Sequence, residues 1–273
     1  NFSYDVGGTV NCELYRVCYA YAGRLIGREL QREFKVLANG EISFAIREVG
    51  ASDFVGGIHG DERATDMTLL VDGVKTPLCH SGFYECETAE LSEESVINRC
   101  NTPDEKIILH KQKYIFNKDG LRLSQYIEWI GEPLEIERAF TPMLTVQRRD
   151  PSKRECVLTD TVELYGVGGN KLCTLDTTPY GAEPSEGLPR RLAENTPALG
   201  AIAYGKESGL RAEVFILDFG GDLEHSDVRA HIWPRFGDTL DSKIYFNIHN
   251  AKKPPRVGTV WCEDVVYKIK TAH

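Results

Sequence analysis

His59 and Glu62 stand three positions apart, as His-x-x-Glu, within "FVGGIHGDERATDMTLLVDG" (54–73). An imidazole and a carboxylate at this spacing can share a zinc ion, but a hydrolytic site also needs a third protein ligand and an open position for water. His80 or His110 could be that ligand, although no spacing marks either. Asp61 and Glu62 in the same acidic turn could instead hold a structural calcium through hard oxygens. Near the C-terminus, "KIYFNIHN" (243–250) brings Tyr245, Asn247 and His249 to one face of an extended chain. "GRELQREF" (27–34) likewise places Arg28, Leu30 and Arg32 on one face. Tyrosine and histidine can move protons, and arginines grip carboxylates in bidentate fashion. His110, Lys113 and Tyr114 in "LHKQKYIF", with Tyr126 and Trp129, could line a sugar-binding groove. Gly-x-Ser-x-Gly is absent, and "YGVGGN" lacks the Lys-Ser/Thr of a phosphate loop.

These residues need elements to position them, and the chain offers mostly strands. Short runs rich in Val, Ile, Tyr, Phe and Thr recur at 41–49, 64–73, 105–116, 121–130, 143–149, 160–167, 211–219, 229–236, 243–250 and 259–270, many with period-two polarity. Turn signals separate them, and Asp72-Gly73 and Asp119-Gly120 fit tight hairpins. Helical signals are few. "SEESVINRC" (92–100) opens on a plausible Ser cap, "EGLPRRLAEN" (186–195) reads as a short helix, and "CELYRVCYAY" (12–21) suits a helix or a strand. The Pro-rich 176–200 segment reads as a surface loop. The pattern predicts an all-β fold, a β-sandwich or jelly roll of two antiparallel sheets with a concave groove and a few short helices, in one domain spanning 1–273. In such a fold Phe54, Gly56 and Ile58 share one face and Val55, Gly57 and His59 the other. The two glycines would leave room for a ligand beside the histidine.

Composition narrows the partners. With 32 Lys and Arg against 41 Asp and Glu the net charge is −9, and no long basic stripe occurs, which argues against a nucleic-acid partner. No apolar run is long enough to span a membrane as a helix. A local cluster of Arg and Lys can still make a cationic groove, because distant surface charges are screened beyond roughly 10 Å. The eight cysteines are Cys12, Cys18, Cys79, Cys86, Cys100, Cys156, Cys173 and Cys262. They permit up to four disulfides, with Cys79 and Cys86 placed to close a small loop. The even count and an Asn1-Phe2-Ser3 sequon lean towards a secreted protein. The chain opens on Asn1 without a signal peptide, as a trimmed form would.

Three segments together, "RELQR" (28–32), "GIH" (57–59) and "YFNIHN" (245–250), resemble the alginate-lyase jelly-roll family of polysaccharide lyases in kind and order. That family carries an Arg-rich strand, a Gln-Ile-His strand and a Tyr-containing strand near the C-terminus. Here Gly57 stands where the family has glutamine, and Ala251 falls at its second tyrosine. The resemblance implies β-elimination on a uronic-acid polymer, with no cofactor and an acidic polysaccharide as partner. It implies His59 as base or carboxylate neutraliser, Tyr245 as proton donor or base, Arg28 and Arg32 as carboxylate binders, and His249 in place of the missing group. Two other readings stand beside it: a non-catalytic carbohydrate-binding or structural β-sandwich, and the zinc-dependent hydrolase using His59 and Glu62.

Overall fold

The computed structural model describes residues 2–5, 44–77, 81–84, 86–132, 135–150, 152–181, 183, 186–224, 227–249 and 254–271. In chain order the strands are β1 (Phe2–Asp5), β2 (Ala45–Glu48), β3 (Glu62–Val71), β4 (Val74–Thr76), β5 (Ser81–Tyr84), β6 (Ala89–Arg99), β7 (Thr102–Asn117), β8 (Gly120–Trp129), β9 (Ile136–Gln147), β10 (Thr161–Tyr165), β11 (Lys171–Asp176), β12 (Ala193–Thr196), β13 (Gly200–Tyr204), β14 (Leu210–Gly221), β15 (Arg229–Pro234), β16 (Asp241–Asn247) and β17 (Val260–Thr271). The fold is all-β, a sandwich of antiparallel sheets. Ten strands form one sheet in the order β11-β10-β13-β14-β17-β8-β7-β6-β3-β4. Five form the other, in the order β12-β15-β16-β9-β2, and β1 pairs with β5 apart from both.

Alternation in the sequence builds the core. On β8, Leu121, Leu123, Gln125, Ile127 and Trp129 are buried in turn, and on β7 so are Ile108, His110, Gln112, Tyr114 and Phe116. Phe44, Ile46, Ala139, Leu144, Val146, Ala230, Ile232, Ile244 and Phe246 contribute the inner face of the five-stranded sheet to the same cluster. Asp72 and Gly73 (φ 48° and 78°) turn β3 into β4, as their residue types demand. The second hairpin is set one residue earlier than the sequence indicates: Asn117 pairs with Gly120, so Lys118 and Asp119 make the turn. Gly120 begins β8 where a Cβ would lie 2.2 Å from the Tyr267 carbonyl.

Two helical expectations are corrected. Residues 92–100 lie almost wholly within β6, where Leu91, Glu93, Ser95 and Ile97 point inward at period two. The helical reading rested on Ser92 as a cap, but pairing to β3 on one side and β7 on the other overrides that local signal. Residues 186–195 form turns and the start of β12, and the described helices are two single 3₁₀ turns, Gly57–His59 and Val167–Gly169. The 12–21 segment lies outside the described residues. Cys86, Cys100, Cys156, Cys173 and Cys262 are free thiols, against the expected loop closure at Cys86. Cys12, Cys18 and Cys79 lie outside the described residues.

Candidate functional site

The five-stranded sheet carries a second, smaller apolar cluster on the face turned away from the core. It consists of Ala45, Phe140, Met143 and Tyr245, with Phe54 and Trp233 packed against it. Alternation explains most of it. On β16, Ile244 and Phe246 face the core, while Lys243 and Tyr245 face out. On β15, Ala230 and Ile232 face in, while His231 and Trp233 face out. A bulge explains the rest. The β9–β16 register shifts between Tyr245 and Asn247, so one extra residue on β9 lets both Phe140 and Met143 join the outer cluster. Thr141 between them turns inward.

A groove of about 560 Å³ lies over this face. Its floor is aromatic. Phe140 packs 5.2 Å from Tyr245, 5.6 Å from Phe54 and 5.9 Å from His231, and Trp233 sits 5.0 Å from Tyr245. Its walls are cationic: Arg47, Arg138, Arg190, Arg191 and Lys243 all line it, and among the described residues none that lines it is Asp or Glu. Acids stand behind the cations instead. Arg47 pairs with Glu137 at 2.6 Å, and both Arg138 and Arg191 lean on Glu194. Burial, with Arg191 and Arg47 near, lowers Arg138 below the ordinary guanidinium value. Burial, with Arg138 and Arg191 near, lowers His231 to about 4, so its ring is neutral at pH 7. Crowding like charges round a partly dry groove is costly unless an anion joins them.

His59 reaches this groove by a route the alternation did not foresee. Val55 bridges Ile46, but the chain then turns, and Gly57–His59 is a 3₁₀ turn rather than a strand. The turn brings His59 onto the same side as Phe54, with their rings 5.2 Å apart. The glycines serve the backbone, not a ligand. Gly56 has φ 94°, and a Cβ there would lie 2.9 Å from the Phe44 carbonyl. Gly57, at the family's glutamine position, donates its N–H to Glu62 Oε2 at 2.6 Å. Asp53 Oδ1 lies 3.7 Å from His59 Nδ1.

Glu62 turns the other way. Its carboxylate accepts from His110 Nδ1 at 2.8 Å and from the Ser95 hydroxyl, within the core. Burial opposes its charge, but His110, Ser95 and the Gly57 N–H hold the carboxyl below its ordinary value. His59 and Glu62 therefore do not converge on one point, and among the described residues no group of three or more His, Cys, Asp or Glu side chains is arranged to hold a metal ion. The calcium expectation meets the same obstacle, because Glu62 is already engaged on both oxygens.

The expected site residues thus separate. His59 and Tyr245 line one groove. His110 and Tyr114 do not: both are buried in the core, where His110 bonds Glu62 and Gln125 and Tyr114 bonds Gln112 at 2.5 Å, so a polysaccharide has no access to them. His249 lies past the end of β16, beside Trp261 and Asp222 in a separate hollow, where burial lowers its pKa. Arg28, Arg32 and His80 lie outside the described residues. Sequence reading missed the groove's own cations and His231. For His231 a partial signal existed, since "RAHIWPRF" places His231 and Trp233 on one face of a strand, but its pairing with Tyr245 and the gathering of the cations had none.

Neither a family model nor a curated protein sequence matches the chain. The resemblance to the alginate-lyase jelly rolls therefore rests on the three quoted segments. Among solved structures, the chain is similar to the galactosidase domain of an alpha-galactosidase-sucrose kinase, at 12% identity and a TM-score of 0.46, over 88% of this chain and 31% of that one. It is similar to a galactose mutarotase-like protein from Clostridium acetobutylicum, at 10% identity and a TM-score of 0.40, over 83% of this chain and 75% of that one. It is also similar to an alpha-N-acetylgalactosaminidase from Bifidobacterium bifidum, at 11% identity and a TM-score of 0.38, over 85% of this chain and 36% of that one. The chain thus spans about a third of the length of the first and third of these.

Proposed function

We propose that the groove binds an acidic carbohydrate and that the chain cleaves a uronic-acid polymer by β-elimination. One observation carries this reading: His59 and Tyr245 line the same groove as five cations, with no carboxylate among its described lining residues. The volume falls within the roughly 300–1,000 Å³ of ligand sites. Aromatic faces suit sugar rings, and guanidinium groups suit a carboxylate.

The chemistry follows from these groups. The proton to be removed lies on C5, next to the carboxylate, and its loss without help would leave a doubly charged intermediate. Arg138 and Arg191 neutralise that carboxylate. His59 takes the C5 proton, and Asp53 beside its Nδ1 steadies the charge it gains. The electron pair of the C5–H bond becomes the C4–C5 double bond, the C4–O bond breaks, and Tyr245 protonates the departing glycosidic oxygen. Glycoside hydrolysis in its usual form would need two carboxyl groups flanking the bond, and the described residues of the groove lining offer none.

A second reading is favoured by the depth of Tyr245, which is 3% exposed. A side chain so little exposed suits holding a ligand more than proton transfer to it. Alginate, glucuronan and related polymers, with neutral polysaccharides as controls, separate the two. Cleavage creates a new ultraviolet band from the double bond. Binding without that band supports the second reading, and neither binding nor band on any polyuronate refutes both.

A further inference from the structure

Two residues that line the groove each carry a buried polar atom with no hydrogen-bond partner: the Tyr245 hydroxyl and His231 Nε2. The residues are 3% and 2% exposed. Tyr245 and His231 are also direct register partners on β16 and β15, so their side chains rise side by side on the outer face. Phe140 packs against both rings, 5.2 Å from one and 5.9 Å from the other, and fixes their orientation. A desolvated donor or acceptor with no partner is costly to a fold. Two of them, on adjacent residues that line one groove, are the arrangement left when the missing partner is a ligand atom.

We propose that Tyr245 and His231 act as a pair that grips one uncharged oxygen of the acidic carbohydrate, while the cations of the walls hold its acid group. This rests on the binding reading above and adds to it a specificity device that the sequence motifs did not contain. The tyrosine hydroxyl donates or accepts, and the neutral imidazole supplies whichever role the tyrosine leaves. His231 is kept neutral by its burial, with help from the same Arg138 and Arg191 that face the anion. The groove therefore reads two features at once: an acid group at its wall and an oxygen over its floor. An inorganic anion satisfies the first and not the second.

The test uses the whole chain and two probes, acidic oligosaccharides from alginate or glucuronan and inorganic sulfate, measured by calorimetric titration. Tyr245→Phe and His231→Phe each remove one polar atom and keep an aromatic ring. The expected result is oligosaccharide binding weakened about 5- to 10-fold in each variant, sulfate binding unchanged, and a melting temperature of the empty protein equal to or above that of the wild type. A purely structural role would lower the melting temperature instead. Wild-type oligosaccharide affinity in both variants overturns the pair, as does a melting temperature several degrees lower in both. Should the wild type bind none of the oligosaccharides, the carbohydrate reading fails and takes the pair with it, whereas tight wild-type binding that neither variant alters refutes the pair alone.

Discussion

Replacing Glu263 by glutamine tests whether the core holds protonated carboxyls at neutral pH. Burial pushes Glu263 up to about 8, against hydrogen bonds from Thr141 and Gln125 that favour its charged form. Glu93 is pushed up to about 9 by burial and by the neighbouring Glu62. Both groups keep a proton in the folded chain that they would release, above their ordinary value of 4.5, in the unfolded one. Their contribution is therefore complete below that value and is lost as pH rises towards the folded values. Each gives a slope of about 1.4 kcal/mol per pH unit. Between about pH 6.5 and 7 the two together lower wild-type stability by roughly 3 kcal/mol per unit, and the slope eases towards pH 8 as Glu263 releases its proton. His231 stays out of this window. Its value is lowered to about 4, so its contribution is lost only as pH falls from 6.5 towards 4. In Glu263→Gln an amide oxygen can still accept from Thr141 Oγ1 (2.7 Å) and Gln125 Nε2 (3.1 Å), and the slope halves to roughly 1.4 kcal/mol per unit. Denaturant unfolding at several pH values across the window measures it. A flat wild-type profile, or an unchanged slope in the variant, refutes the reasoning.

Other perturbations address the groove and its supports. His110→Ala leaves Glu62 charged in the core without its partner, and chemical denaturation should show a loss of about 3–5 kcal/mol. Gly56→Ala forces a side chain onto φ 94° and towards the Phe44 carbonyl, with a loss of about 1–3 kcal/mol and weaker oligosaccharide binding, because this turn carries His59. Arg138→Gln and Arg191→Gln each weaken acidic oligosaccharides by roughly tenfold, as expected for a lost charge-assisted bond. Titration at two salt concentrations should also show a shallower salt dependence, while neutral sugars bind as before.

The fold was legible because strand alternation is a local signal: the ten runs read as strands all contain strands. What failed had non-local causes. Residues 92–100 open on a Ser that reads as a helix cap, and only pairing with β3 and β7 makes them a strand. His59 was rightly singled out, but by a face count that the turn at Gly57 breaks. Tyr245 was legible from its own strand. Its neighbour His231 was not, because the two are 14 positions apart and meet only through the β15–β16 register. The wall cations come from β2, β9, β16 and the segment before β12, and no spacing within one stretch announces such a gathering. His110 misled because a His, Lys and Tyr on one strand read equally well as a wet groove or as a polar layer within the core.

A crystal structure of the chain with an acidic oligosaccharide from alginate or glucuronan would locate the ligand. The expected result is a sugar ring over Phe54 and Trp233, its carboxylate against Arg138 and Arg191, and an oxygen within hydrogen-bond reach of Tyr245 and His231. An oligosaccharide bound in the hollow beside His249, or elsewhere with this groove left empty, would contradict it.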